Sequence, residues 1–492
     1  MKTKKFTILH SNDMHGDFLS EISSGSSTSK KELLGGLALL SGYINKVRAE
    51  EENVLYVISG DMLQGSLIDT EYKGISTMEI MNYLAPDVVA LGNHEFDYGL
   101  PHLLFLEKMA NFPIVNANLY IKQYNRRLMQ PYKILKKAGF EIMFTGIITE
   151  KVIDSIKQDE LIGSFITLQE ASKEVGKICN SYKNDDIDLT ILLTHIGIES
   201  DIALAKMLKP DWGVDIIIGG HSHTILKKPK KVNNILIAQA GVGTDQIGRF
   251  DIVVDDDTNS IVEYKWRLVP IDNRIAKPDL RLKHFINSFK SKVDQKYSAL
   301  VCKLARKLTH PKREIETSLG NLFADAFAEN AQCDVAFVGS GSIRSKELGP
   351  VVTLQDLMAC FPYDDTLTRF AITGSQLRNI FTHFMRKENR DGEGENYQVN
   401  GKVKATYNDK TKLLEGLLIN EVEVESDQFY TICLQNFHVK NSKKYLDISS
   451  EELLASGKTK VVSTSAQEVF EEFLRDNQNI FREIEGRLVY KN

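Results

Sequence analysis

The sequence predicts an α/β chain of two domains, and three observations carry that expectation. The chain is 492 residues long, beyond the size at which a single hydrophobic core usually stops growing. Its first half alternates short apolar runs with stretches of helical spacing and changes character at Lys277-Pro278-Asp279. The apolar runs of that half end repeatedly on Gly, Asp, Asn or His, a costly place for polar clusters unless they coordinate or react. The expected division is residues 1–275 as a first domain, 276–300 as a connecting helix and 301–492 as a smaller α/β domain.

In chain order, Phe6 to Leu9 is a strand that runs into Asp13-Met14-His15-Gly16. Ser20 to Lys31, rich in Ser and Gly, is a surface insertion. Leu37, Leu40, Ile44 and Val47 give helical spacing over Leu37 to Ala49. Val54 to Ile58 is a strand ending at Ser59-Gly60-Asp61, and Ile75 to Leu84 is helical. Val88 to Leu91 is a buried strand that stops at Gly92-Asn93-His94-Glu95-Phe96-Asp97, before a helix from Leu100 to Ala110. Further strands are Ile114 to Ala117, Ile142 to Ile148, Leu189 to Leu193 (ending at Thr194-His195) and Val214 to Ile218 (ending at Gly219-Gly220-His221-Ser222-His223). Ile235 to Ala238 and a hairpin of Phe250 to Val254 with Ile261 to Trp266 complete the domain. Leu280 to Tyr297 is the connecting helix. The second half reads as helix Leu319 to Asn330, strand Val335 to Val338, a Gly/Ser loop at 339–342, helix Leu354 to Cys360 with Thr353 as N-cap, and helix Ser375 to Lys387. A polar loop from Glu388 to Asn396, strands to Asn436 and a final helix from Ala466 to Ile484 follow.

Composition removes several functions. A net charge of −5 excludes a strongly basic binder of nucleic acid polymers. The five cysteines are an odd number with no C-x-x-C pair, so they read as reduced, partly buried thiols. Phe6 to Leu9 is too short for a signal-peptide core, and no apolar run has the length of a membrane span. A cytoplasmic protein without a membrane partner is expected.

The strand-end residues Asp13, His15, Asp61, Asn93, His94, His195, His221 and His223 form one candidate site, because sites in α/β sheets assemble where strand ends converge. Asp13 and His15, like His221 and His223, are two apart and project to the same side of extended chain. Seven nitrogen and oxygen donors are too many for one tetrahedral ion and suit two ions sharing a carboxylate. With no thiolate among them, Mn, Zn or Fe is favoured. The remaining histidines, His10, His102, His284, His310, His383 and His438, are read as structural.

The series Asp13-x-His15, Gly60-Asp61, Gly92-Asn93-His94-Glu95, His195 and Gly220-His221-Ser222-His223 resembles the calcineurin-like metallophosphoesterase signature. The second half is similar to the C-terminal domain of the 5′-nucleotidase family. The resemblance implies a first domain built as a two-sheet sandwich flanked by helices. It implies one divalent ion on Asp13, His15, Asp61 and His223, and another on Asp61, Asn93, His195 and His221. It implies hydrolysis of nucleoside 5′-monophosphates by metal-activated water, with no covalent phospho-enzyme. His94 would then stabilise charge on the phosphoryl group, and Asp97 would orient its ring. Tyr363 and Phe437 match the aromatics that hold the base, Arg313 and Arg344 match substrate contacts, and Ser340 stands where the family commonly has asparagine. The plain alternative for Tyr363 and Phe437 is a core position. The loop Gly339-Ser340-Gly341-Ser342-Ile343-Arg344 departs from the family pattern, as does the stretch after Phe437. These departures keep open 2′,3′-cyclic-nucleotide or nucleotide-sugar hydrolysis, and a non-catalytic nucleotide sensor beyond that. The resemblance also implies a hinge near the connecting helix.

Overall fold

The computed structural model describes residues 3–22, 32–121, 124, 126–148, 167–182, 185–390, 395–455 and 459–491, and divides into two units, 1–293 and 294–492. Most of the serine-rich insertion lies outside the described residues. The first unit begins β1 (Thr3–Ser11), α1 (Leu37–Glu50), β2 (Val54–Ser59), α2 (Ile75–Leu84), β3 (Val88–Ala90), α3 (Leu100–Met109), β4 (Ile114–Val115). It continues β5 (Tyr132–Lys137), β6 (Phe140–Ile148), α4 (Leu168–Ser181), β7 (Leu189–His195), α5 (Ile198–Met207), β8 (Ile216–Ile218), β9 (Lys230–Val232), β10 (Ile235–Ala238), β11 (Gln246–Asp255), β12 (Ser260–Pro270).

These strands make two six-stranded mixed sheets, in the orders β12-β11-β1-β2-β3-β4 and β9-β10-β8-β7-β6-β5. Within the first, β1, β2, β3 and β4 run parallel; within the second, β6, β7, β8 and β10 do. Central parallel strands are covered on both faces, which is why β2 and β7 are buried along their whole length. Phe6, Ile8, Leu55 and Val57 of one sheet share a core with Phe144, Ile191, Leu193 and Ile216 of the other. The outer face of the second sheet is closed by Ala171 and Val175 of α4 and Leu204 of α5 on Met143, Leu192 and Ile217. The sandwich expected from the resemblance is present. The hairpin strands β11 and β12 run several residues beyond the expected bounds, because the long β11 pairs with β1 on one side and β12 on the other.

Helix α6 (Leu280–Tyr297) contains the division between the units. Its start is tied to the first unit: Asp279 accepts from the Arg281 and Leu282 N–H groups and from Ser41 Oγ. Phe289 meets Tyr72 edge-on, at 5.3 Å between ring centres.

In the second unit, the short strands Leu300–Lys303 and Leu308–Thr309 lead into α7 (Ser318–Ala331), β13 (Val335–Gly339), α8 (Leu354–Cys360), β14 (Leu367–Thr373) and α9 (Gly374–Phe384). Then follow β15 (Tyr397–Val399), β16 (Val403–Asn408), β17 (Leu413–Ile419), β18 (Val422–Glu423), β19 (Phe429–Gln435), the short helices α10 (Asn436–Lys440) and α11 (Ser442–Leu446), β20 (Lys460–Ser463), α12 (Ala466–Asp476) and β21 (Leu488–Lys491). A five-stranded sheet, β15-β13-β19-β14-β20, and a four-stranded sheet, β18-β17-β16-β21, share one apolar core. Thr353 caps α8 through a capping box with Asp356. The polar stretch after α9 includes a helical turn, Lys387–Arg390, and 391–394 lie outside the described residues. The final helix is shorter than its sequence pattern suggests. It stops at Asp476, where Asn477 bonds back to the Phe473 carbonyl and Asn479 turns left-handed at φ 57°. The chain beyond is clamped by Glu316, which accepts from the Glu485 and Arg487 N–H groups. All five cysteines are buried and free. Among the described residues no helix is long and apolar enough to cross a membrane.

Candidate active site

The ends of β1, β2, β3, β7 and β8 meet. The loop after β1 is zipped to the loop after β2 by Asp13 N–H on Gly60 O, His15 N–H on Asp61 O and Gly16 N–H on Met62 O, each 3.0–3.1 Å. The His221 N–H spans both oxygens of Asp13, at 2.9 and 3.0 Å. The His94 N–H donates to Asp61 Oδ1 at 3.0 Å. Backbone of one loop thus grips a side chain of the next, and all seven expected donors come to one place.

Their donor atoms face one another. His15 Nε2 is 3.1 Å from His223 Nε2, and His195 Nε2 is 3.1 Å from Asp61 Oδ2. Asn93 Oδ1 lies 3.2 Å from His195 Nε2 and 3.1 Å from His221 Nδ1. Three trios, Asp13/His15/His223, His15/Asp61/His94 and Asp13/Asp61/His195, each place their atoms within 4.8 Å of one another. Ser59 O, an acceptor only, takes the hydrogen of His195 Nδ1 at 2.9 Å and turns Nε2 into the cluster. The electrostatics suit a cation. Burial opposes charge on the His195 ring, yet the Asp61 and Asp13 carboxylates outweigh it and hold the imidazole up at about 9. Asp61, itself buried, is brought down to about 2, chiefly by the His195 ring. Burial lowers His15 and His221, as befits neutral donor rings.

Five of the donors sit in the left-handed region: Asp13 (φ 50°), His15 (49°), Asp61 (53°), His221 (77°) and His223 (51°). Such backbone costs of order 1–3 kcal/mol per residue and persists only where its surroundings over-determine it. Gly92 makes one of the close approaches possible, since a Cβ there would lie 2.1 Å from Asp61 Oδ1.

Glu95 does the over-determining, and the sequence reading assigned it no role. Its buried carboxylate accepts the N–H groups of Asp61, Met62 and Gly92 at 3.0, 2.7 and 2.5 Å. A second support lies under the histidine loops. Asp201 accepts from Thr194 Oγ1 at 2.6 Å and from Gln239 Nε2 at 2.9 Å, and Gln239 Oε1 accepts from Ser222 Oγ at 3.0 Å. Only a motif with its flanks read as a hydrogen-bonding unit would have signalled either residue.

His94 stands at the rim, about a third exposed, with Nδ1 2.7 Å from Asp97 Oδ2. That carboxylate raises the imidazole above its ordinary range.

The second unit holds a cleft of about 630 Å³ lined by residues that include Arg313, Arg344, Tyr363, Asp365, Glu395, Gln435 and Phe437. Tyr363 and Phe437 are 50% and 52% exposed, so neither is a core residue. The Arg344 guanidinium lies over the Tyr363 ring, 5.6 Å from its centre. Asp365 Oδ2 accepts the Phe437 N–H at 2.6 Å, which fixes the start of α10 beside the cleft. Ser340 is not among the lining residues. It is fully buried, its hydroxyl accepts from Gln398 Nε2 at 2.7 Å and its carbonyl meets His310 Nε2, so the structure places it beneath the cleft. Several lining residues had no site role in the sequence reading, among them Asp365, Glu395 and Gln435; the Gln435 Oε1 is buried without a partner.

Comparison with known proteins follows the same two parts. Residues 6–224 match the calcineurin-like phosphoesterase family, and residues 297–448 match the 5′-nucleotidase C-terminal domain. The chain is 26% identical to the snake venom 5′-nucleotidase of Naja atra, over 99% of this chain and 98% of that one. It is 26% identical to the 5′-nucleotidase of Rattus norvegicus, over 99% and 91%. Its fold is similar to that of a putative 5′-nucleotidase from Staphylococcus aureus, with a TM-score of 0.64 at 19% identity over 99% and 100% of the two chains.

Proposed function

Because this chain belongs to the 5′-nucleotidase family, a calcineurin-like phosphoesterase unit continued by a 5′-nucleotidase C-terminal domain, we propose that it releases phosphate from nucleoside 5′-monophosphates. The observation that carries this reading is the convergence of seven donor side chains beside the His94–Asp97 pair.

The donor set fits two divalent ions: nitrogen and oxygen atoms only, two carboxylates, and imidazoles of which His195 is turned inward by its outer hydrogen bond to Ser59 O. Asp13, His15 and His223 would hold one ion and Asn93, His195 and His221 the other, with Asp61 shared. When bound, the ions lower the pKa of a coordinated water and draw charge from a phosphate oxygen. His94 donates Nδ1–H to Asp97, and in its protonated form would offer Nε2–H to the phosphoryl or leaving oxygen as its charge grows. The Asp97 carboxylate, which raises the ring's pKa, favours that form. Glu95 and the Asp201–Gln239–Ser222 chain keep the loops from relaxing. In the second unit, Tyr363 and Phe437 offer π-faces to a base, each worth about 1–3 kcal/mol, and Arg313 and Arg344 supply positive charge for an anionic ligand. The partner is a small nucleotide and not a nucleic acid polymer. A cytoplasmic setting belongs to the same reading, and five buried, free thiols suit it.

The test is a substrate panel with Mn²⁺ and metal analysis on one sample. Phosphate release from nucleoside 5′-monophosphates with two ions per chain is expected. Preference for 2′,3′-cyclic nucleotides or nucleotide sugars would move the reading to those esters. Tight nucleotide binding without phosphate release would make the protein a sensor.

A further inference from the structure

The cleft of the second unit carries more negative than positive charge. Its lining residues include two cations, Arg313 and Arg344, against three carboxylates, Asp364, Asp365 and Glu395. Two of these carboxylates are committed to backbone: Asp365 to the Phe437 N–H, Asp364 to the Gln467 N–H and the Ser465 hydroxyl. Glu395 differs from both in also meeting a guanidinium. It is only 8% exposed. Its Oε1 accepts the Gly341 N–H at 2.8 Å, while Oε2 accepts from Arg313 Nη2 at 3.3 Å. The Arg313 side chain is half exposed at the cleft. Gly341 lets the pair close, since a Cβ there would stand 2.4 Å from Arg313 Nη2 and 2.9 Å from Glu395 Oε2. The other cation, Arg344, is drawn to the Tyr363 ring and to Gly341 O at 3.5 Å.

We propose that Glu395 is a specificity-determining residue of this cleft: by holding Arg313 it limits the positive charge an anionic ligand meets, and so weakens highly charged nucleotides relative to nucleosides and monophosphates. An anion reaching Arg313 must share the guanidinium with a carboxylate that water screens poorly, and each further negative charge on the ligand adds repulsion. A ligand held through its base and sugar alone escapes this.

The inference rests on the nucleotide reading of the cleft, and the experiment separates the two. On the metal-loaded full chain, adenosine and α,β-methylene-ADP are titrated by calorimetry, and kcat and KM are measured for AMP, for wild type and Glu395→Gln. The glutamine keeps an acceptor for the Gly341 N–H, removes the charge and replaces the oxygen that Arg313 donates to with an amide NH2, which releases the guanidinium. Expected are an adenosine Kd unchanged within about twofold, a methylene-ADP Kd tightened about tenfold, the size of one like-charge contact in a partly screened cleft, and a lower KM for AMP at unchanged kcat. In an Arg313→Gln background the same change should shift the methylene-ADP Kd by less than about twofold, since Glu395 acts through that guanidinium. Should Glu395→Gln not fold, Glu395→Asp retracts the carboxylate from Arg313 and should tighten methylene-ADP in the same direction, about threefold. A methylene-ADP Kd that stays the same or weakens overturns the proposal while leaving the nucleotide reading intact. A wild-type chain that binds neither adenosine nor methylene-ADP overturns the nucleotide reading itself.

Discussion

In the first unit Asp13, Asp61 and His195 form a buried base, 0%, 1% and 0% exposed, with the exposed His221 and His223 facing them, and five of the donors hold left-handed backbone. In the second unit Tyr363, Phe437, Arg313 and Arg344 are exposed at the cleft, beside the buried Glu395 and Gln435, and all four lie outside the left-handed region. The contrast matches two kinds of task. Holding two like-charged ions needs donors fixed before the ions arrive, so the frame stores the cost in the loops and Glu95 and Asp201 keep it there. Binding a flat heterocycle, the task proposed for the cleft, needs surfaces whose contributions add, and no one of them has to be placed as closely.

If that contrast is right, single changes should act abruptly in the first unit and in graded steps in the second. The largest effect is expected at Asp61, the carboxylate proposed to be shared. Asp61→Asn should lower phosphate release by at least ~10³-fold, several kcal/mol of transition-state stabilisation, and metal analysis should find fewer than two ions per chain. His94→Ala comes next, with a kcat loss of ~10²–10³-fold at unchanged metal content. Loss of the metals in that variant would make His94 a ligand and erase the distinction between the rim and the donor set. Phe437→Ala and Tyr363→Ala should each raise KM for AMP by about 1–3 kcal/mol, or ~5–150-fold, and leave kcat alone. A kcat loss in either would bring the cleft closer in kind to the strand-end site.

The supports beneath the donors sharpen the comparison further. Asp201→Asn or Gln239→Leu leaves every donor in place but loosens Ser222, which sits between His221 and His223. Such outer partners are typically worth ~10–100-fold in metal affinity. Activity should therefore fall at low Mn²⁺ and return as Mn²⁺ is raised, with a melting curve lowered only by the ~1–3 kcal/mol of an unmet buried hydrogen bond. A loss that excess Mn²⁺ cannot restore would mean the network serves the chemistry by another route.

The two regions were also unequally legible. Donor types at strand ends can be read directly, because apolar runs that stop at Asp, Asn or His have few structural uses. The sheets followed from the same runs. Left-handed backbone at Asp13 or His223 has no such sign, since Asp and His, though enriched there among non-glycine residues, adopt it in only a small share of their occurrences. Glu95 was visible within its motif, but its partners are backbone N–H groups more than thirty positions away at Asp61 and Met62. In the second unit, Ser340 has the position of a contact and the surroundings of a core residue, a difference made by Gln398 approaching from another strand. The end of α12 was missed for a similar reason: amphipathic spacing continues past Asp476, but the clamp on the following chain is Glu316, from far upstream.

The smallest effect concerns stability, and it compares the units through one buried histidine in each. His10, on β1, is fully buried, stacked on Trp266 at 5.2 Å, and neither ring nitrogen has a partner; burial lowers its pKa to about 3. His438, on α10, meets the Tyr397 hydroxyl through Nδ1 and is lowered to about 4. An unfolded chain binds a proton on each ring at about pH 6.5, where the folded chain does not. The unfolded state thus gains protons as pH falls, and folding loses about 1.4 kcal/mol per pH unit per ring, from about 6.5 down to the folded value. Thermal melts between pH 7 and 4 should show His10→Phe, which keeps the stack on Trp266, with a shallower acid limb than wild type, by one ring's share. His438→Phe should flatten the limb as well, over a range ending about one pH unit higher. Identical limbs for wild type and His10→Phe would show that the His10 ring finds a proton partner in acid, and that the first unit's interior is less closed than its buried strands imply.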